Sequence, residues 1–107
     1  AKMVIVAYGT AARIAKGAIK RLRAQGVKVG LFRPVTLWPF PELRLRSLSE
    51  IVKHYLVFEM STGQMLEDVR LSLQGYADIK FHGRPGGAVP TPAELANVIA
   101  KFYEKID

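Results

Sequence analysis

Glu59 stands at the end of the apolar run "HYLVFEM", and a carboxylate in that position can do two kinds of work. Held in an apolar site, it would be a general base with a pKa set by burial. Bound by nearby amides or by an arginine, it would be structural, since ion pairs and caps imitate active sites. The other candidates are similarly two-sided. Tyr8, Gly9 and Thr10 form a glycine turn ahead of a helix, where backbone amides could cradle a phosphate. The dinucleotide fingerprint needs three spaced glycines, however, and "GTAARIA" carries only the first. Gln64 follows Gly63 in the first turn of a later helix, where an amide could bond across an interface or fix the turn. The glycine-rich "HGRPGG", which contains Arg84, could approach a ligand closely or simply turn the chain.

His54 and His82 have no second histidine or cysteine at ligand spacing, so no metal site is expected. No serine sits in a "GxSxG" elbow. The sequence therefore holds no complete catalytic site, and no residue is assigned a catalytic role. It does hold "TLWPFP", in which Pro39 and Pro41 pre-set the backbone while Trp38 and Phe40 present large rigid surfaces. Aromatic anchors of this kind are enriched at the centres of protein interfaces. The alternative is that the rings fold back over the domain's own core.

The elements that must position these residues follow from hydrophobic spacing. "MVIVAY" is a continuous apolar run, as in a strand buried on both faces. Gly9 breaks it, and Thr10 is the expected N-cap of a helix with Ala11, Ile14, Ala15, Ala18, Ile19 and Leu22 on its apolar face. Arg13, Lys16, Lys20 and Arg23 fall opposite, and Gly26 is the expected stop. "VKVGLFR" reads as a second strand, ending at Arg33. Pro41 is then expected in a first helical turn, with Leu45, Leu48, Ile51 and Val52 facing the core. A third strand ends at Glu59 and Met60, and Ser61 or Thr62 should cap the helix after it. In that helix Met65, Leu66, Val69 and Leu73 point inward. "ADIKFHG" is a weaker fourth strand. "TPAE" at Thr91 is a capping box ahead of a last helix carrying Leu95, Val98, Ile99, Phe102 and Ile106.

Strand and helix alternate four times, which predicts a three-layer α/β domain: a mostly parallel open sheet with helices on both faces. In such a sheet the loops after the strands share one edge, where ligands and partners bind. The unusual segments "YGTAAR", "RPVTLWPFP", "EMSTGQM" and "HGRPGG" are those loops. Their convergence on one rim is the main functional expectation.

The chain has 107 residues, 50% of them hydrophobic and 23% charged, which fits a single domain over 1–107. The strand beginning almost at residue 1 suggests a domain excised from a longer chain. There are no cysteines, which excludes disulfides and thiolate-held clusters within these residues and fits a reducing cytoplasm. No apolar run approaches the roughly 20 residues of a membrane span. The net charge of +7 reads either as solvated basic faces or as attraction to an acidic partner. Aromatics do not interleave with the basic residues, so no nucleic-acid platform is expected.

Taken together, "VAYGTAARIAKGAIKRLRAQGVKVGLFRPVTLWPFP", "LVFEMSTGQMLEDVRLSL" and "FHGRPGGAVPTPAEL" resemble the C-terminal part of the alpha-type subunit of 2-oxoacid:ferredoxin oxidoreductases. The likeness runs from Met3 to about Leu95 and implies the fold of the transketolase C-terminal domain. "EMSTGQMLEDVR" followed by "GRPGG" is most similar to enzymes of 2-oxoisovalerate and other branched-chain 2-oxoacids; 2-oxoglutarate and pyruvate are the alternatives. The resemblance implies an enzyme that uses thiamine diphosphate and magnesium to decarboxylate a 2-oxoacid. It would reduce ferredoxin through iron–sulfur clusters and pass the acyl group to coenzyme A. None of these cofactors is expected on this domain alone, which would contribute architecture and subunit contacts. A free-standing small-ligand module and a purely structural oligomerisation domain are the competing readings.

Overall fold

A computed structural model describes residues 1–34, 40–60, 64–83 and 89–106. Four β/α pairs follow one another: β1 (Met3–Val6), α1 (Gly9–Ala24), β2 (Val29–Phe32), α2 (Glu42–Leu48), β3 (His54–Glu59), α3 (Gln64–Leu73), β4 (Asp78–Gly83) and α4 (Pro92–Glu104). The strands pair in the order β2-β1-β3-β4, every pair parallel. The expected three-layer α/β architecture is therefore present.

The period-two alternation of a strand sorts the core into two halves. Met3 and Ile5 of the first strand and Ala7 just after it, with Leu56 and Phe58 of the third, pack beneath α1 and α4. Val4, Val6, Tyr55 and Val57 face the other way, toward α2 and α3. The inner strands are apolar on both faces because both faces are covered. Strand β4, at the edge, alternates exposed with half-buried residues over Asp78–Phe81 and is half-buried at His82 and Gly83.

Helix α1 buries the stripe expected of it, Ala11, Ile14, Ala15, Ala18, Ile19 and Leu22. It stops in a Schellman motif: Val27 N–H donates to Leu22 O at 3.0 Å and Gly26 N–H to Arg23 O at 3.1 Å. Gly26 makes this possible at φ 83°, where a side chain would be strained. The capping box of α4 forms as read, with Glu94 N–H on Thr91 Oγ1 at 3.1 Å and Thr91 N–H on Glu94 Oε1 at 3.0 Å.

Three local expectations are corrected. Thr10 is not the N-cap of α1; the extended Tyr8 holds that place without a side-chain bond, and the helix begins at Gly9. Pro41 lies just before α2, not inside it, because its ψ of 62° is outside the helical range. Ile51 is 79% exposed, since α2 ends at Leu48 and the chain then turns. Ser49 takes the interior position instead, its hydroxyl donating to Arg46 O at 2.6 Å.

Candidate functional site

Because the strands are parallel, their carboxyl ends share one edge of the sheet. Tyr8, Gly9 and Thr10 leave β1 there, Arg33 leaves β2, and Glu59 and Met60 leave β3. Strand order reverses between β1, which continues through α1 to β2 on one side, and β3 on the other. This switch point, flanked by Tyr8–Thr10 and Glu59–Met60, is where an open α/β sheet forms its natural crevice. Arg33, Gly9 and Thr10 are exposed, while Tyr8, Met60 and Pro41 are half-buried. Gly9 adopts φ 58° with open space where a side chain would stand, so the turn needs glycine for its backbone and not for room.

The turn into α1 has neither a side-chain cap nor an acidic residue in its first turn. The turn into α3 is the opposite case. Glu59 is completely buried, and its two oxygens accept from Met65 N–H at 3.0 Å and Leu66 N–H at 2.9 Å. The charge faces the positive end of the helix and satisfies two amides that lack helical partners. Of the two readings of Glu59, the structural one matches this geometry: a strand's last residue caps the next helix. Ser61 and Thr62, expected as the cap, lie outside the described residues.

Phe40 is half-buried and packs with Tyr8 and Phe32 against the α2/α3 core. That ring therefore folds partly over its own domain. Trp38, Pro39, Gly63 and Arg84 lie outside the described residues, and Gln64 opens α3.

The histidines have structural neighbours. His82 stacks on Phe58 with ring centroids 5.8 Å apart. His54 Nδ1 lies 3.6 Å from Asp78 Oδ2, and Lys80 Nζ lies 3.7 Å from Asp78 Oδ1. Both pairs belong to a cleft of about 130 Å³ also lined by Phe102 and Ile106. It opens at the amino ends of β3 and β4, away from the rim, and is below the range of organic-cofactor pockets. Sequence reading missed Arg46. Its Nε donates to Ser72 O at 3.1 Å and its guanidinium lies 5.5 Å from the Tyr76 ring, tying α2 to the end of α3. The signal was only an arginine on the flank of a short helix.

Residues 1–95 match the pyruvate:ferredoxin oxidoreductase core domain II family. The chain belongs to that family. Among curated relatives, this core domain II is 43% identical over 104 residues to the ketoisovalerate oxidoreductase subunit VorB of Methanothermobacter marburgensis. It is 34% identical over 99 residues to the 2-oxoglutarate synthase subunit KorA of the same organism. These alignments cover 97% and 92% of the chain but 28% and 26% of the relatives, so the chain spans about a quarter of their length. A solved structure titled "Split gene transketolase, inactive beta4 tetramer" superposes with a TM-score of 0.78 at 17% identity. That superposition covers 96% of this chain and 38% of the other. The likeness supports the transketolase-type fold expected from the sequence.

The residues of this core domain II can be tested against the cofactors its family implies. A cluster held by thiolates does not fit, because the chain has no cysteine. No group of three histidine, aspartate or glutamate side chains that could hold a metal ion by themselves converges among the described residues. No described helix is long and apolar enough to cross a membrane.

Proposed function

We propose that this chain is an architectural and interface domain of a subunit in a cytoplasmic, multi-subunit 2-oxoacid:ferredoxin oxidoreductase. In the whole enzyme, a 2-oxoacid, coenzyme A and oxidised ferredoxin become acyl-coenzyme A, carbon dioxide and reduced ferredoxin. Thiamine diphosphate supplies the carbanion chemistry when bound, and iron–sulfur clusters on other chains carry the electrons. This domain's own residues shape the rim at the switch point and offer it to neighbouring subunits. The observation that carries the reading is the family match over residues 1–95. The substrate we assign is 2-oxoisovalerate or another branched-chain 2-oxoacid, supported by 43% and 42% identity to two ketoisovalerate oxidoreductase subunits. A 2-oxoglutarate enzyme is the second reading, supported by 34% and 35% identity to KorA subunits.

The test is the assembled enzyme, purified with all its subunits and assayed for ferredoxin reduction with each 2-oxoacid. The kcat/KM should be highest for 2-oxoisovalerate. A higher value for 2-oxoglutarate would move the protein to the second reading. Absence of reduction with every 2-oxoacid, in a preparation loaded with cofactors, would remove the assignment altogether.

A further inference from the structure

The two helix layers differ in charge. On the α2/α3 side, Glu42, Glu50, Glu67 and Asp68 are matched by Arg44, Arg46, Lys53 and Arg70. On the α1/α4 side, α1 has five bases and no acid, and α4 adds Lys101 and Lys105 against Glu94 and Glu104. Most of the net charge of +7 therefore lies on one layer.

Within α1 the charges are aligned. Arg13, Lys16, Lys20 and Arg23 are spaced three, four and three residues apart, which sets them in one exposed stripe about 15 Å long. None of the four has an ion pair with a described residue. Like charges three or four apart on a helix repel each other, so the stripe works against the helix that carries it. The stripe is also free of exposed apolar bulk: Leu43, Ile51, Leu71, Tyr76 and Val89, the large exposed hydrophobics among the described residues, all lie off α1 and α4.

We propose that the outer face of α1 is a docking surface for a separate acidic protein, engaged transiently and through charge. Charge complementarity identifies the partner. A permanent subunit contact would need an apolar centre, which this face lacks. An anionic membrane would need apolar side chains to insert beside the lysines. Duplex nucleic acid would meet only about four phosphates along such a stripe, giving weak and steeply salt-dependent binding. A carboxylate-rich protein surface needs no more than opposed charge to be steered into contact, and releases as readily.

The test uses the full-length protein in two double reversals of equal charge, Lys16→Glu with Lys20→Glu and Arg44→Glu with Lys53→Glu. Binding of fluorescent poly-L-glutamate is measured at 50 and 300 mM salt, beside duplex DNA and phosphatidylserine vesicles. The α1 pair should weaken polyglutamate binding at least fivefold at low salt, a difference that closes at high salt. The α2-side pair should stay within twofold of the parent. A neutral pair, Lys16→Gln with Lys20→Gln, should fall between, which guards against misfolding of the reversed form. Equal losses in both reversals would reduce the effect to net charge and overturn the proposal. Tighter binding of DNA or vesicles than of polyglutamate would overturn it in favour of those partners.

Discussion

Glu59 brings two carboxylate oxygens into the interior at the end of β3 and spends them on the Met65 and Leu66 amides. Glu59→Ala would strand both amides beside a new cavity, and should cost about 3 kcal/mol in urea unfolding. Glu59→Gln keeps the shape and one acceptor but turns an NH2 toward a donor, so about half that loss is expected. Equal stability of all three forms would mean the amides find other partners. Tyr55, on the same strand, is the contrary case: it is 1% exposed and its hydroxyl has no hydrogen-bond partner among the described residues. Tyr55→Phe should therefore be neutral or stabilising by up to about 1 kcal/mol at neutral pH. Burial pushes this hydroxyl up from 10.0 to about 12. The unfolded chain then loses the proton first. The group therefore leaves stability independent of pH below 10 and lowers it as pH rises toward 12. The parent should lose stability over that window more steeply than Tyr55→Phe, and parallel curves would place the hydroxyl in contact with water. The carboxylate of Glu59 was legible as a group needing partners, but not which partners. A cap supplied from the end of a strand several residues upstream leaves no local pattern like the Thr91–Glu94 box, which could be read directly.

Helices α1 and α4 meet where Gly17 faces Pro92, and a Cβ on Gly17 would lie 3.1 Å from both Cβ and Cγ of the proline ring. Gly17→Ala gains about 1 kcal/mol of helix propensity and loses a comparable amount against a ring fixed in the first turn of α4, so little net change is expected. Gly17→Leu has no such compensation and should destabilise the fold by about 2 kcal/mol or more, read by urea unfolding. A leucine variant as stable as the parent would show that the two helices separate freely. Element identity was legible because each helix carries its apolar residues at helical spacing and each inner strand is apolar throughout. Element ends were less so. Pro41 and Ile51 were misplaced because a seven-residue helix offers too few turns for spacing to locate its ends. The pairing of α1 with α4, and the strand order β2-β1-β3-β4, depend on contacts far apart in the chain. No window of sequence contains them.

At the scale of the molecule, two apolar cores lie on opposite faces of one sheet, and the Cα radius of gyration is 12.7 Å. A domain that folds by itself with this many residues has a radius of about 13 Å. Residues 1–107 expressed alone should therefore unfold in one cooperative transition. The same preparation tests whether the rim takes the cofactor its family implies. Glu59, the carboxylate at the switch point, already gives an oxygen to each of two amides, and no three metal-binding side chains converge among the described residues. A ligand that binds only the folded state at a thousand times its Kd adds about 4 kcal/mol of stability. In a domain of roughly 100 residues each kcal/mol moves Tm by about 4 °C or more. Thiamine diphosphate and magnesium at about 1 mM would thus raise Tm by roughly 15 °C if the site were micromolar. We expect a change within about 1 °C, the scatter of the measurement set against that scale. A rise near the larger figure would mean that the rim holds the diphosphate itself, and the domain would have to be counted among the cofactor-binding parts of the enzyme.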